Sequence, residues 1–261
     1  MQTDLALEIA TLCEKCQTNT NVDGLQALSS FFGVKIYSKE LFLILHIIHE
    51  RFDLLAEILD VIDYDEEMKD DWKNRLMQLR AVFSFPAIKG TWNHNPGTQN
   101  SKLTTDNIQT IKTLSMSVRA LYPLRRLSVE ELDELKAQTT EFLGWLEAHQ
   151  LKDDDFIRAN LISGVKSFLF RLEHFEWVGV SHSLKGLKEV IDAYLLLEKG
   201  EAVHGGSEDY SAMAKKTAAF AKRAYDGLSA TKSVGEMATW LLAVYGTVDI
   251  AVDKIQGLLS N

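Results

Sequence analysis

The sequence predicts an all-α protein, a multi-helix bundle of about ten helices. Three observations carry that prediction. Apolar residues recur every three or four positions along nearly the whole chain, the period of an amphipathic helix. Only 3 prolines, Pro86, Pro96 and Pro123, interrupt 261 residues, and proline both removes a helix hydrogen bond and clashes with the preceding turn. Serine, aspartate and glycine stand where the periodic stretches begin and end, as helix caps require. No segment demands a sheet.

The elements follow in chain order. Thr3–Gln17 carries Leu5, Ile9, Leu12, Cys13 and Cys16 on one helical face. A short helix from Asp23 to Phe31 stops at Gly33, a residue common just past helix ends. Ser38 is the N-cap of the next helix, in which Leu41, Ile44, Leu45, Ile48, Phe52, Leu55, Leu59 and Ile62 keep the rhythm. Leu43 and Ile47 make its first half apolar nearly all round, so it is expected at the centre of the core. A further helix spans Asp65–Phe83, with Trp72, Leu76 and Leu79 inward.

Pro86–Lys102 reads differently. Gly90, Asn93, Asn95, Pro96, Gly97, Asn100 and Ser101 are turn formers, and the stretch is expected to be a long, exposed, mobile loop. Helical rhythm resumes at Thr105 and runs to Tyr122, where Pro123 stops it. Ser128 and Glu131 have capping-box spacing and open a helix bearing Leu132, Leu135, Phe142 and Leu146. Asp153–Val178 is the next helix, broken by Gly179. Ser181–Lys199 follows and is expected to end at Gly200. The last pair, about Asp209–Leu228 and Val234–Leu259, reads as a helical hairpin. The expected organisation is an N-terminal helical subdomain over 1–85, a connecting loop over 86–102, a central helical bundle over 103–203 and a C-terminal helical hairpin over 204–261.

Composition narrows the function classes. The formal net charge is −9, so any nucleic-acid site must be a local basic patch; no strong nucleic-acid signal is present. The N-terminus lacks a basic and an apolar region of the secretory kind. No apolar run reaches the roughly 18 residues of a transmembrane helix. Two cysteines make no disulfide framework, and a reducing cytoplasm is the expected location.

Several constellations could carry chemistry. Cys13-x-x-Cys16 and His46-x-x-His49 together supply a zinc-type ligand set, yet both cysteines fall on the apolar stripe of their helix, where thiols act as small hydrophobes. His46, His49 and Asp53 share a helix edge and resemble an open metal triad in composition. Spread along one helix, however, they span about 10 Å of axis. Asp53 could instead orient His49, and Glu50 could orient His46. The acidic run from Asp53 to Asp71 lacks the glycine and terminal glutamate of a calcium loop. It reads as a solvated helix start or as a surface for a basic partner. Arg119, Arg125 and Arg126 could fork around an anion, with Glu130 and Glu131 placed to neutralise them. Trp92 and His94 sit in the expected loop, where Trp92 is expected to pack downward. No metal or other cofactor is favoured. No phosphate-binding loop, nucleophile elbow or zinc-protease helix occurs.

The functional expectation is a non-enzymatic helical protein–protein interaction or regulatory module. Its partner is another protein, or a second copy meeting the C-terminal helices. Leu241, Val244, Val248 and Ile255 belong to a seam spaced alternately three and four apart. Lys215, Lys216, Lys222 and Arg223 give the penultimate helix a basic face. One alternative is a conditional membrane-active effector of a bacterial toxin or defence system, lying on the membrane surface through the apolar stretch Met237–Val248. Another is a metal-dependent hydrolase or nuclease using His46, His49 or His94.

Overall fold

The computed structural model describes residues 2–93, 95, 98–151, 155–203 and 208–228. Described residues are mainly helical, with only two-residue strands at Gln2–Thr3 and Leu124–Arg125. They divide into two units. The first holds Gln2–Leu124 together with Glu176–Gly179; the second holds Arg125–Phe175 and the chain from Val180 onward. Residues 86–102 therefore sit within the first unit, among the elements on either side of them.

In the first unit, side-chain caps set the helix starts. Asp4 accepts from the Leu7 amide and opens α1 (Leu5–Cys16). Asp23 accepts from Gln26 and opens α2 (Gly24–Phe32), which ends at Gly33 in the left-handed region, φ 66°. Ser38 accepts from Leu41 and opens α3 (Lys39–Val61). Asp65 opens α4 (Glu66–Val82) by accepting from Glu67. Each oxygen satisfies an amide with no helical partner. The long apolar helix is central as expected: α3 packs against α1, α2 and α4. Leu41, Ile44, Ile48, Phe52, Leu55 and Leu59 are buried along it.

The expected loop is instead anchored. It contains α5 (Phe85–Lys89) and a 3-10 turn over Gln99–Lys102. Between them Trp92 is fully buried, against the rings of Phe31 and Phe83. Its indole N–H donates to the Cys16 carbonyl at 3.1 Å. The Trp92 amide donates to the Val22 carbonyl and its carbonyl accepts from Thr20. Turn-forming residues do bend this chain, but a buried aromatic with three satisfied polar groups pins it.

The expected Thr105–Tyr122 helix is two, α6 (Thr105–Thr113) and α7 (Ser115–Leu121). At Leu114 the amide reaches back only three residues, to the Ile111 carbonyl, so the ladder tightens there. Ser115 then turns its hydroxyl to the buried Asp4 carboxylate.

In the second unit, the Ser128–Glu131 capping box forms and opens α8 (Val129–Ala148). α8 lies along α9 (Asp155–Glu173) and α11 (Glu208–Leu228). Phe220 of α11 stacks on Phe142 of α8 at 4.4 Å and meets Phe168 of α9 edge-on. α10 (Phe175–Val203) bends at Gly179 and then runs on past Gly200 to Val203. Gly200 therefore does not terminate it; one glycine costs a helix only about 1 kcal/mol.

Trp92→Ala is expected to lower unfolding free energy by about 3–5 kcal/mol, measured by denaturant melts followed by circular dichroism, and to open 86–102 to proteolysis. A variant that melts like the wild type would show that Trp92 does not anchor this segment.

Candidate functional site

The sequence-derived metal ligands do not converge. Cys13 and Cys16 are free thiols buried in the core on α1. Burial pushes the Cys16 thiol up to about 12 and raises Cys13 as well, helped by the neighbouring Cys16. His46 stands exposed on α3, 3.7 Å from Glu50. His49 is half-buried, with Nε2 3.1 Å from the Phe83 carbonyl oxygen. An N–H on Nε2 donates there. Desolvation lowers the His49 pKa, against the opposing pull of that carbonyl, so the ring is neutral at pH 7. Asp53 does not orient His49; it pairs with Arg80 at 3.0 Å. Among the described residues no group of three or more His, Cys, Asp and Glu side chains is placed to hold a metal ion. His94 lies outside the described residues.

Arg119 and Arg125 have structural partners, whereas Arg126 is exposed and has no ion pair or hydrogen bond among the described residues. Arg119 forks onto the buried Asp4 carboxylate at 2.9 and 3.1 Å, and Ser115 completes that cluster. Arg125 pairs with Glu131 and donates to the Asp226 carbonyl at 3.0 Å. Neutralisation by the capping-box glutamate therefore holds for Arg125, whereas Arg119 is taken by the N-cap of α1. A shallow cleft of about 290 Å³ in the second unit is bounded by Arg125, Glu131, Leu135, Arg223 and Asp226. Its charges are mixed, and no nucleophile and base face each other across it.

Sequence periodicity gave no notice of the polar core of the first unit. Arg51, in the middle of α3, has a side chain only 2% exposed. It donates to Glu8 of α1 at 3.1 Å and to the Trp177 carbonyl at 2.6 Å. Trp177 packs its ring on Phe32 at 5.0 Å, with the Lys15 ammonium over it, and Glu176 pairs with Lys15. Gly179 adopts φ 78°, and a Cβ there would collide with the Glu8 carboxylate and the Arg51 guanidinium. Gly179 was legible as a helix breaker; its partners, 128 and 171 residues away in sequence, were not.

Two charged surfaces remain. On α11, Lys215, Lys216 and Arg223 are exposed and Lys222 is half-buried; Lys216 lies over the Trp145 ring at 4.5 Å. The apolar side of α11, with Tyr210, Met213, Phe220, Tyr225 and Leu228, is already buried. The other surface is the corner between α3 and α4. There Asp60 pairs with Lys73, Glu66 with Lys69 and Asp71 with Arg75. Asp63, Glu67 and Asp70 are exposed and have no ion pair among the described residues. Val61, Tyr64 and Met68 stand exposed among them. Tyr64 is held from behind by the Trp72 ring at 5.0 Å and by the Ser117 hydroxyl at 3.0 Å.

The seam of Leu241, Val244, Val248 and Ile255, and the apolar stretch Met237–Val248, lie outside the described residues. No helix of the described residues is long and apolar enough to cross a membrane. No family model matches the chain, and neither a curated protein nor a solved structure does.

Two outcomes are expected. Glu8→Ala leaves the buried Arg51 guanidinium without its counter-ion and should cost about 3–5 kcal/mol of stability, whereas the double change Glu8→Leu with Arg51→Met should cost much less. Equal losses in denaturant melts would show that the ion pair is not the constraint. The thiols should react slowly with a disulfide reagent in the native state and rapidly in denaturant. Because burial raises Cys16 from 9.0 to about 12, the stability associated with its neutral form is fully present below pH 9. It is lost as pH rises through that window, and Cys16→Ala should flatten this alkaline loss in pH-dependent melts.

Proposed function

We propose that this chain is a non-enzymatic helical interaction module, and that the α3–α4 corner receives a protein partner with a basic, apolar face. The observation that carries this reading is the corner itself. Three large apolar side chains, Val61, Tyr64 and Met68, are exposed among the unpaired carboxylates of Asp63, Glu67 and Asp70. A solvated helix start accounts for the carboxylates alone, but not for the apolar groups set between them. Apolar anchors within a charged rim are the anatomy of a protein interface. Tyr64 is braced by Trp72 and Ser117, so little side-chain freedom remains to be lost on binding.

The residues that could have carried chemistry support the same reading. Cys13 and Cys16 are in the core, Asp53 is held by Arg80, and Arg119 and Arg125 are paired. The basic face of α11 supplies a second charged surface.

The test is binding of an amphipathic lysine–leucine peptide, followed by the NMR resonance of the Trp72 indole. Binding should weaken as salt rises. Asp63→Lys with Glu67→Lys should weaken it about tenfold or more, since like charges then face each other. The thermal midpoint should fall only slightly, because both positions are exposed and Glu67→Lys forfeits only a favourable interaction with the α4 N-terminus. Equal binding by wild type and double variant, or none by the wild type, overturns the reading.

A further inference from the structure

Three more large apolar side chains stand in solvent just before and within the first turn of α3. They are Ile36, Tyr37 and Phe42. Tyr37 has φ 60°, the only positive value outside glycine among the described residues. An aromatic L-residue rarely adopts that region, and where it persists the surroundings must hold it there. By position Tyr37 precedes the Ser38 cap and Phe42 lies four residues beyond it, the places where two apolar groups normally close on each other as a staple. Here Tyr37 has no ring contact or hydrogen bond among the described residues and is 69% exposed. Lys35 and Lys39 flank the patch, both exposed and without an ion pair. The adjacent Glu40 already has a partner of its own.

At the other end of the same helix, Val61, Tyr64 and Met68 stand among Asp63, Glu67 and Asp70. α3 has 23 residues, which at 1.5 Å per residue separates the two ends by about 33 Å. One patch is apolar with unpaired cations and the other apolar with unpaired carboxylates. A single rigid helix keeps them apart, so within one chain they cannot meet.

We propose that the partner of the α3–α4 corner is a second copy of this chain, which docks its Ile36–Tyr37–Phe42 patch there, head to tail. This inference rests on the docking role proposed for the corner and names its occupant. Such an interface is heterologous: each copy keeps one unused patch of each kind, so association continues into open chains or closes into a ring. Three apolar side chains on each side make a small interface, so assembly is reversible, concentration-dependent and weakened by salt. The basic face of α11 fits the corner less well, because exposed Ala219 stands between its cations and exposed Ala212 one turn before them, and neither offers a large apolar group to meet Tyr64 and Met68.

Sedimentation velocity over a concentration series tests the proposal on the full chain. The wild type should form species larger than a dimer. Lys35→Glu with Lys39→Glu should be monomeric, and so should Asp63→Lys with Glu67→Lys. Mixed together, these two variants should assemble again beyond a 1:1 pair and in alternation, because the intact patch of one meets the intact corner of the other and the charge-reversed patch meets the charge-reversed corner. All four changes in one chain swap the charges and should restore assembly. Circular dichroism confirms that each variant is folded, and Lys215→Glu with Lys222→Glu serves as a control that should assemble like the wild type. A monomeric wild type, an assembling Lys35→Glu/Lys39→Glu variant, a mixture that stays monomeric, or loss of assembly only in the α11 control overturns the proposal. If the wild type stays monomeric but still binds the lysine–leucine peptide through the Trp72 resonance, self-docking fails while the corner remains a docking surface. If neither occurs, both readings fail.

Discussion

A guanidinium buried in the middle of α3 is the constraint around which the first unit is organised. Stripping Arg51 of water is costly, and only a counter-ion and hydrogen-bond acceptors in fixed positions offset that cost. Glu8 of α1 supplies the charge and the Trp177 carbonyl supplies an acceptor. Two of the consequences are topological. α1 must lie against α3 in the register that presents Glu8. A segment from far along the chain must also return to the first unit, crossing the ion pair at a residue without a side chain, Gly179. Apolar contacts alone tolerate slippage; a buried charge with directional partners does not.

The same economy governs the other polar groups of that unit. Asp4 is fully buried, yet it caps α1, accepts from Ser115 and pairs with Arg119. Trp92 satisfies its indole and backbone groups while filling the core. Side chains that look reactive in isolation are thereby held in single structural roles: thiols desolvated, His49 neutral against a carbonyl, carboxylates matched to arginines.

What α3 leaves unsatisfied lies at its two ends. Its apolar flanks are buried by α1, α2 and α4, and at its two ends large apolar and charged side chains stand exposed together. The net charge of −9 is unevenly spread, concentrated at the α3–α4 corner and reversed on α11. Charge distributed in this way steers encounters and selects partners more than it adds affinity.

The all-α class was legible in the sequence because helix periodicity and capping are local. Ser38, Asp65 and the Ser128–Glu131 pair act within four residues of themselves, and the structure uses each as a cap. The centrality of α3 was legible because its apolar residues wrap nearly the full circumference. The acidic corner was visible as a run of carboxylates, though not which of them would stay unpaired, since Lys73, Lys69 and Arg75 reach them only after α4 has formed. Other features depended on contacts remote in sequence. Turn formers around Trp92 signalled a loop, but burial of its indole against Phe31 and Phe83 decided that the segment is anchored. Gly200 looked like a stop, yet α10 continues through it. Arg51 sat on a helix face with nothing to mark it, because its partners lie 43 and 126 residues away. The left-handed backbone of Tyr37 had no sequence signature, since only glycine announces that conformation. The sequence by itself determined the helical class and the side-chain caps that open its helices, through bonds between near neighbours; tertiary structure decided where α10 ends, how 86–102 is held, and which polar groups are consumed and which face solvent, because desolvation and pairing depend on distant residues that only the folded chain brings together.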